Sequence, residues 1–143
     1  MIIVSSCLAG INCRYDGNNN LVPEIKELVL AGKAIPLCPE ELGGLETPRT
    51  SCEIVRKGNQ IFVISKEQLD CTAQFELGAQ KVAEIAKTLN CKQAILKANS
   101  PSCGYGIIYD GSFTGKKIEG NGLTADKLAK QGVQIKNEIN YKE

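Results

Sequence analysis

Residues 70–104 read DCTAQFELGAQKVAEIAKTLNCKQAILKANSPSCG. In the first half, Phe75, Val82, Ala83, Ile85, Ala86 and Leu89 repeat on one face, which predicts an amphipathic helix over about 70–89. Ala94-Ile95-Leu96 then forms a short apolar run of core-strand character. It passes straight into Asn99-Ser100-Pro101-Ser102-Cys103-Gly104, whose turn residues make a loop. The same order of elements recurs on either side. Ile2 to Ser6 predicts a buried strand that opens into a turn-rich loop from Ala9-Gly10 to Asn18-Asn19-Asn20. Pro23, at a first helical position, is followed by Ile25, Leu28 and Val29 at helical spacing and by Gly32 as a stop, giving a helix near 23–31. Ala34-Ile35-Pro36-Leu37 is a second strand, ending at Cys38. Toward the C-terminus, a helix from Leu123 or Thr124 to about Gln131 is capped by Gly132 and followed by a strand at 133–135. Strands alternating with helices imply an α/β fold: one three-layer domain over residues 1–143, with a mainly parallel, Rossmann-like sheet. A small β-hairpin excursion interrupts it, with Glu53-Ile54-Val55 and Ile61-Phe62-Val63-Ile64 around a Gly58-Asn59 turn. A second small hairpin is expected around 107–118. Residues 39–52, broken by Pro39, Gly43-Gly44 and Pro48, read as a loop without lasting regular structure.

The composition restricts the chemistry. The 143 residues include seven cysteines and no histidine. That excludes a Ser-His-Asp triad, a Cys-His thiol hydrolase and His-ligated zinc or haem. General acid–base work falls to Glu, Asp, Lys, Tyr or Cys. A net charge of +1 gives no support for a nucleic-acid or membrane partner. The apolar start Met1-Ile2-Ile3-Val4 lacks the flanks of a signal peptide, and no apolar run approaches the roughly 18–20 residues of a membrane span. The expected location is cytoplasmic, where thiols stay reduced; an odd number of cysteines also forbids complete pairing within one chain.

Cys7, Cys38 and Cys103 share one kind of position, the loop just beyond a predicted core strand. In an open parallel sheet those loops lie along one edge, where ligands bind. Cys13 shares the loop of Cys7 and is intermediate, whereas Cys52, Cys71 and Cys91 are better read as packing or surface thiols. No pair has C-x-x-C spacing. Structural zinc requires a closed set of four ligands. Iron–sulfur clusters also usually take four thiolates, so three would leave one iron open to a substrate atom, and soft iron favours sulfur. Glu40, two residues from Cys38, is the best acid–base candidate in a chain without histidine. The Ser100 and Ser102 hydroxyls serve either a substrate or the turn backbone. Arg14 and Arg49 serve either an anion or the loops.

Several stretches resemble one bacterial family in order along nearly the whole chain. They are Ser5-Ser6-Cys7-Leu8-Ala9-Gly10 with Arg14-Tyr15-Asp16-Gly17; Cys38-Pro39-Glu40 with Gly43-Gly44-Leu45 and Pro48-Arg49; Leu96-Lys97 with Ser100-Pro101-Ser102-Cys103-Gly104; Tyr109-Asp110-Gly111-Ser112-Phe113; and Gly120-Asn121-Gly122-Leu123-Thr124-Ala125. The family was long catalogued as a domain of unknown function, and its characterised members are thiouracil desulfidases. The resemblance implies an oxygen-sensitive 4Fe–4S cluster held by Cys7, Cys38 and Cys103, with the fourth iron open to a thiolated pyrimidine's sulfur. It further implies Glu40 as acid–base, Ser100 as a supporting hydroxyl, and uracil and hydrogen sulfide as products without net redox change. Cys13 stands where the family often lacks a cysteine, and Thr50-Ser51-Cys52 replaces a more Pro- and Ala-like stretch, so both thiols stay open as competing ligands. The alternative from a different class is a non-catalytic structural or redox-sensing protein holding zinc or a cluster.

Overall fold

The computed structural model describes residues 1–143. Strands β1 (Ile2–Ser5), β2 (Ala34–Leu37), β5 (Gln93–Leu96) and β8 (Gln134–Asn137) form a sheet in the order β2-β1-β5-β8, every neighbouring pair parallel. Two antiparallel hairpins stand apart from it: β3 (Cys52–Lys57) with β4 (Gln60–Ser65), and β6 (Ile107–Tyr109) with β7 (Lys117–Glu119). The helices are α1 (Pro23–Leu30), α2 (Pro39–Leu42), α3 (Thr72–Thr88) and α4 (Leu123–Lys130). No helix is long and apolar enough to cross a membrane.

Alternation along the strands builds the layers. Ile3, Ala94, Leu96 and Ile135 face one way and pack with Val82 and Ala86 of α3 and Ala125 and Leu128 of α4. Val4, Ala34 and Ile95 face the other way, against Leu8 in the turn after β1 and Ile25 of α1. The expected three-layer arrangement is therefore present. From β1 the chain winds outward through α1 to β2; from β5 it winds the opposite way through α4 to β8. The winding reverses between β1 and β5, and the carboxyl ends of strands at such a switch point form a natural crevice.

Helix ends follow local chemistry. Gly32, Asn90 and Gly132 have φ of 72°, 53° and 85° just past α1, α3 and α4. After each of them the next N–H reaches back five residues, Lys33 to Leu28, Cys91 to Ala86 and Val133 to Leu128, the bond of a Schellman stop. Asn90 is the one non-glycine of the three. Asn90→Ala should lower stability by about 1 kcal/mol, while Asn90→Gly should leave it equal or higher, read from urea midpoints.

Residues 39–52 depart from the expected loop at one point, because α2 is a full turn of helix. Pro39 occupies its first position, where no N–H is needed. What fixes this turn is a backbone-to-backbone contact with α3. A Cβ on Gly43 would lie 1.9 Å from the Gln74 carbonyl oxygen, and one on Gly78 would lie 1.9 Å from the Pro39 carbonyl oxygen. Two glycines thus let α2 rest directly on α3, which sets the position of Glu40.

The hairpins form the remaining wall of the crevice. Ile54 and Val63 of the first pack with Phe75 and Ile108 in a small core of their own. The Glu53 carboxylate accepts the Gly111 and Phe113 N–H groups at 3.0 and 3.2 Å, tying the two hairpins together. At Gly111, φ is 94° and a Cβ would meet the Ile54 carbonyl oxygen at 2.7 Å, which accounts for the Asp110-Gly111-Ser112-Phe113 stretch as a docking turn.

Candidate active site

The crevice holds a cavity of about 430 Å³ at the carboxyl ends of β1, β2 and β5. Cys7 enters it from the 3-10 turn Ser6–Ala9 that follows β1. Cys38 enters from the residue between β2 and α2, and Cys103 from the loop after β5. The three residues singled out by their places beyond strand ends therefore meet at one cavity, because all of those strands run parallel. Glu40 and Ser100 line the same cavity.

Two further thiols join them. Cys13 is only 3% exposed and lines the cavity. Its carbonyl oxygen accepts from the Cys38 thiol at 3.9 Å. The Cys13 and Cys38 sulfurs and a Glu41 carboxylate oxygen all lie within 4.8 Å of one another. Cys52 also lines the cavity, from the start of β3. Cys71 precedes α3, donates its N–H to the Val63 carbonyl at 2.8 Å, and packs beside Cys52 on the hairpin core. Cys91 lies away from this site, buried in the main core with Ala86 just past the end of α3. That is packing, as expected. Cys91→Ser should therefore leave metal content unchanged, measured as iron per chain, even where it lowers stability. All seven cysteines are free thiols.

The thiols differ in acidity. Hydrogen bonding from Cys13 outweighs burial at Cys7 and lowers its pKa to about 7. The same neighbour lowers Cys38. Cys13 itself is pushed up, because its proton is held between those two sulfurs. Burial raises Cys103, and burial with the adjacent Cys71 raises Cys52 to about 12. In a cavity without histidine, two thiols poised toward thiolate suit a soft metal.

Glu40 is withdrawn from water, its side chain 18% exposed. Burial pushes its carboxyl above the ordinary range, against the Arg49 guanidinium and, to a lesser extent, the Ser102 hydroxyl. Arg49 Nη2 lies 3.2 Å from Glu40 Oε2 and donates to the Cys13 carbonyl at 2.9 Å. Its other nitrogen, Nη1, reaches the Thr47 hydroxyl at 2.9 Å. Arg49 thus locks the acid–base candidate to the Cys13 loop. Arg14 holds its own loop, on Asp16 at 3.1 Å and Asn20 at 2.9 Å. For both arginines the loop-holding alternative is the one seen.

The two serines divide their work. Ser100 Oγ accepts the Cys103 and Ser102 N–H groups at 2.6 and 3.1 Å, so it shapes the cysteine turn while its own proton stays available to the cavity. Ser102 is fully buried and pairs its hydroxyl with that of Thr124 at 2.9 Å. Lys97 also lines the cavity, its Nζ 2.8 Å from Glu138 Oε2. The other Glu138 oxygen accepts the Ala98 N–H at 2.8 Å. The pairings of Glu138 with Lys97 and of Thr124 with Ser102 carry no signal in the sequence, because each acts across a long chain separation on a partner only the fold brings near.

Comparison with known proteins identifies the family. A family model for 2-thiouracil desulfurase matches residues 2–140. The protein YbbK of Bacillus subtilis (strain 168), described as uncharacterised, is 44% identical over 148 residues, covering 98% of each chain. A solved structure, the 4Fe–4S-dependent thiouracil desulfidase TudS, matches with a TM-score of 0.89 at 38% identity, over 99% of this chain and 92% of that one. With a family match along almost its whole length, the chain belongs to the 2-thiouracil desulfurase enzymes.

Proposed function

We propose that residues 1–143 act as one desulfidase domain that converts a thiolated pyrimidine, 2- or 4-thiouracil or a related nucleotide, to uracil (or the corresponding nucleotide) and hydrogen sulfide. The observation that carries this reading is the meeting of Cys7, Cys38 and Cys103 beside Glu40 in one cavity. Seven free thiols and a net charge of +1 support a small-molecule substrate in a reducing cytoplasm. The donor set fits an iron–sulfur group: sulfur ligands from separate loops, no histidine, and two thiols already lowered in pKa. Cys7, Cys38 and Cys103 would hold a 4Fe–4S cluster, and such a cluster with one iron free of protein ligands supplies a soft Lewis acid for the substrate's sulfur.

The rest falls to the chain. Phe75 and Tyr109 give the cavity walls that a flat pyrimidine ring can lie against. The Ser100 hydroxyl, its oxygen already committed to two backbone N–H groups, donates its proton to the ring's polar edge. Glu40 accepts a proton from the water that attacks the thiocarbonyl carbon. The carbon–sulfur bond breaks, a carbonyl oxygen takes its place, and protons return to the departing sulfide. Water and thiouracil become uracil and hydrogen sulfide, with no electron gained or lost. Arg49 keeps the carboxylate in place throughout. Because burial raises the Glu40 pKa, its base form grows in only above the ordinary glutamate value of about 4.3. The acid limb of the rate profile should lie above that value accordingly.

The test is anaerobic turnover of 2-thiouracil by the iron-loaded protein. Uracil and sulfide should appear one for one without an added reductant, and chelation of iron should abolish both. Unchanged turnover after complete iron removal would refute the reading.

A further inference from the structure

Cys13 is a buried thiol that the proposed mechanism does not use, yet it lies in the middle of the proposed ligand set. Its sulfur lies within 4.8 Å of the Cys38 sulfur, and it lines one cavity with Cys7, Cys38 and Cys103. Cys13 packs with Val4, Leu8 and Ile25 on one side, but unlike Cys91 it also lines the cavity. Its backbone is fixed from three directions. Its N–H bonds the Ile11 carbonyl at 2.8 Å, its carbonyl accepts from Arg49 at 2.9 Å, and the Cys38 thiol contacts the same carbonyl at 3.9 Å. The loop that carries it is closed by the Asn20 N–H on the Cys7 carbonyl at 2.9 Å. The sulfur is therefore held at the site by a built loop.

We propose that Cys13 is a fourth, displaceable thiolate ligand that closes the open iron of the cluster whenever no substrate is bound. This rests on the cluster reading above and deepens it. Four thiolates are the ordinary complement of four irons, and a fully ligated cluster resists loss of its exposed iron. When a thiocarbonyl sulfur arrives, the bond from iron to the Cys13 sulfur breaks and a bond from the same iron to the substrate's sulfur forms. The freed thiolate takes up one proton from the buffered solvent, and no electron moves. One thiol would then guard the cluster against oxidation between turnovers and yield to a softer, better-placed sulfur during them.

The experiment compares the natural chain with Cys13→Ala and Cys13→Ser, each loaded anaerobically with iron and sulfide and then oxidised briefly with ferricyanide. The readouts are iron content and the electron paramagnetic resonance signal of a three-iron cluster. All three chains should load about four irons, and the two variants should give at least about tenfold more three-iron signal than the natural chain. Mössbauer spectra of the natural chain, which need no variant, should show four alike sulfur-ligated irons that become three and one on adding 2-thiouracil. Equal three-iron signals from natural chain and variants, or a three-and-one pattern already present without substrate, would overturn the proposal and leave the desulfidase reading standing. Failure of the natural chain to hold iron and sulfide at all would overturn both.

Discussion

Glu40→Gln should keep its cluster and its fold but release sulfide about 10²–10⁴-fold more slowly than the natural chain, the range expected when a positioned acid–base group is lost. Gln is nearly isosteric and still accepts a hydrogen bond from Arg49, so the Arg49 link to the Cys13 loop survives. The sign of the linkage argues against loss through unfolding. Burial raises the Glu40 pKa, so the native state binds its proton more tightly than the unfolded chain does. The native state consequently loses stability as pH rises from about 4.3 through the folded-state value, and an uncharged Gln does not carry that cost at neutral pH. Urea midpoints of the variant at pH 7 should accordingly equal or exceed those of the natural chain. The variant's residual rate should also lack the acid limb. Full activity in Glu40→Gln, with iron retained, would remove this carboxylate from the mechanism.

Gly78→Ala should be, with its counterpart at Gly43, one of the two most damaging single methyl groups in the chain. In an ordinary helix interior, Gly to Ala stabilises by about 1 kcal/mol. Here the sign reverses. The new Cβ would lie 1.9 Å from the Pro39 carbonyl oxygen and 2.8 Å from its carbonyl carbon, and neither backbone atom can turn aside as a side chain can. Helix α2 would have to lift from α3, and overpacking of this kind costs about 3 kcal/mol or more. Glu40 follows Pro39 directly, so the lift also moves the carboxylate away from the cysteines. A displacement of about 1 Å at a reacting group is enough to lower the rate by about 10²-fold. Urea unfolding should show the stability loss, and turnover in the surviving folded protein should show the second effect. A variant as stable and as active as the natural chain would mean that α2 is not held as the glycine contact indicates.

These two residues illustrate what a sequence reveals and what it withholds. Glu40 was legible because few residue types remain for proton transfer once histidine is absent, and because it sits two positions from a strand-end cysteine. Ile2–Ser5, Ala34–Leu37 and Gln93–Leu96 were legible as strands because short apolar runs are bounded by turn residues there. Their parallel pairing carried Cys7, Cys38 and Cys103 to one edge without further information. Gly78 was not legible, since a lone glycine in a strong helical pattern resembles a tolerated defect until its partner helix is known. Helix α2 was hidden for a related reason: Pro39 and Gly43-Gly44 read as breakers, yet proline suits a first turn and glycine admits the contact with α3. Cys13 and Cys52 were undervalued because their nearness to the other thiols depends on a loop path and a hairpin docking that no periodicity encodes. The Glu138 hold on Lys97 and the Thr124 hold on Ser102 belong to the same class.

The account depends most on what the clustered thiols bind. Iron, zinc and acid-labile sulfide measured together on protein purified without oxygen decide it. About four irons and four sulfides per chain are predicted, the content of one cubane cluster. Zinc with no acid-labile sulfide would contradict the account, because such a site has no iron to take sulfur from a thiolated ring.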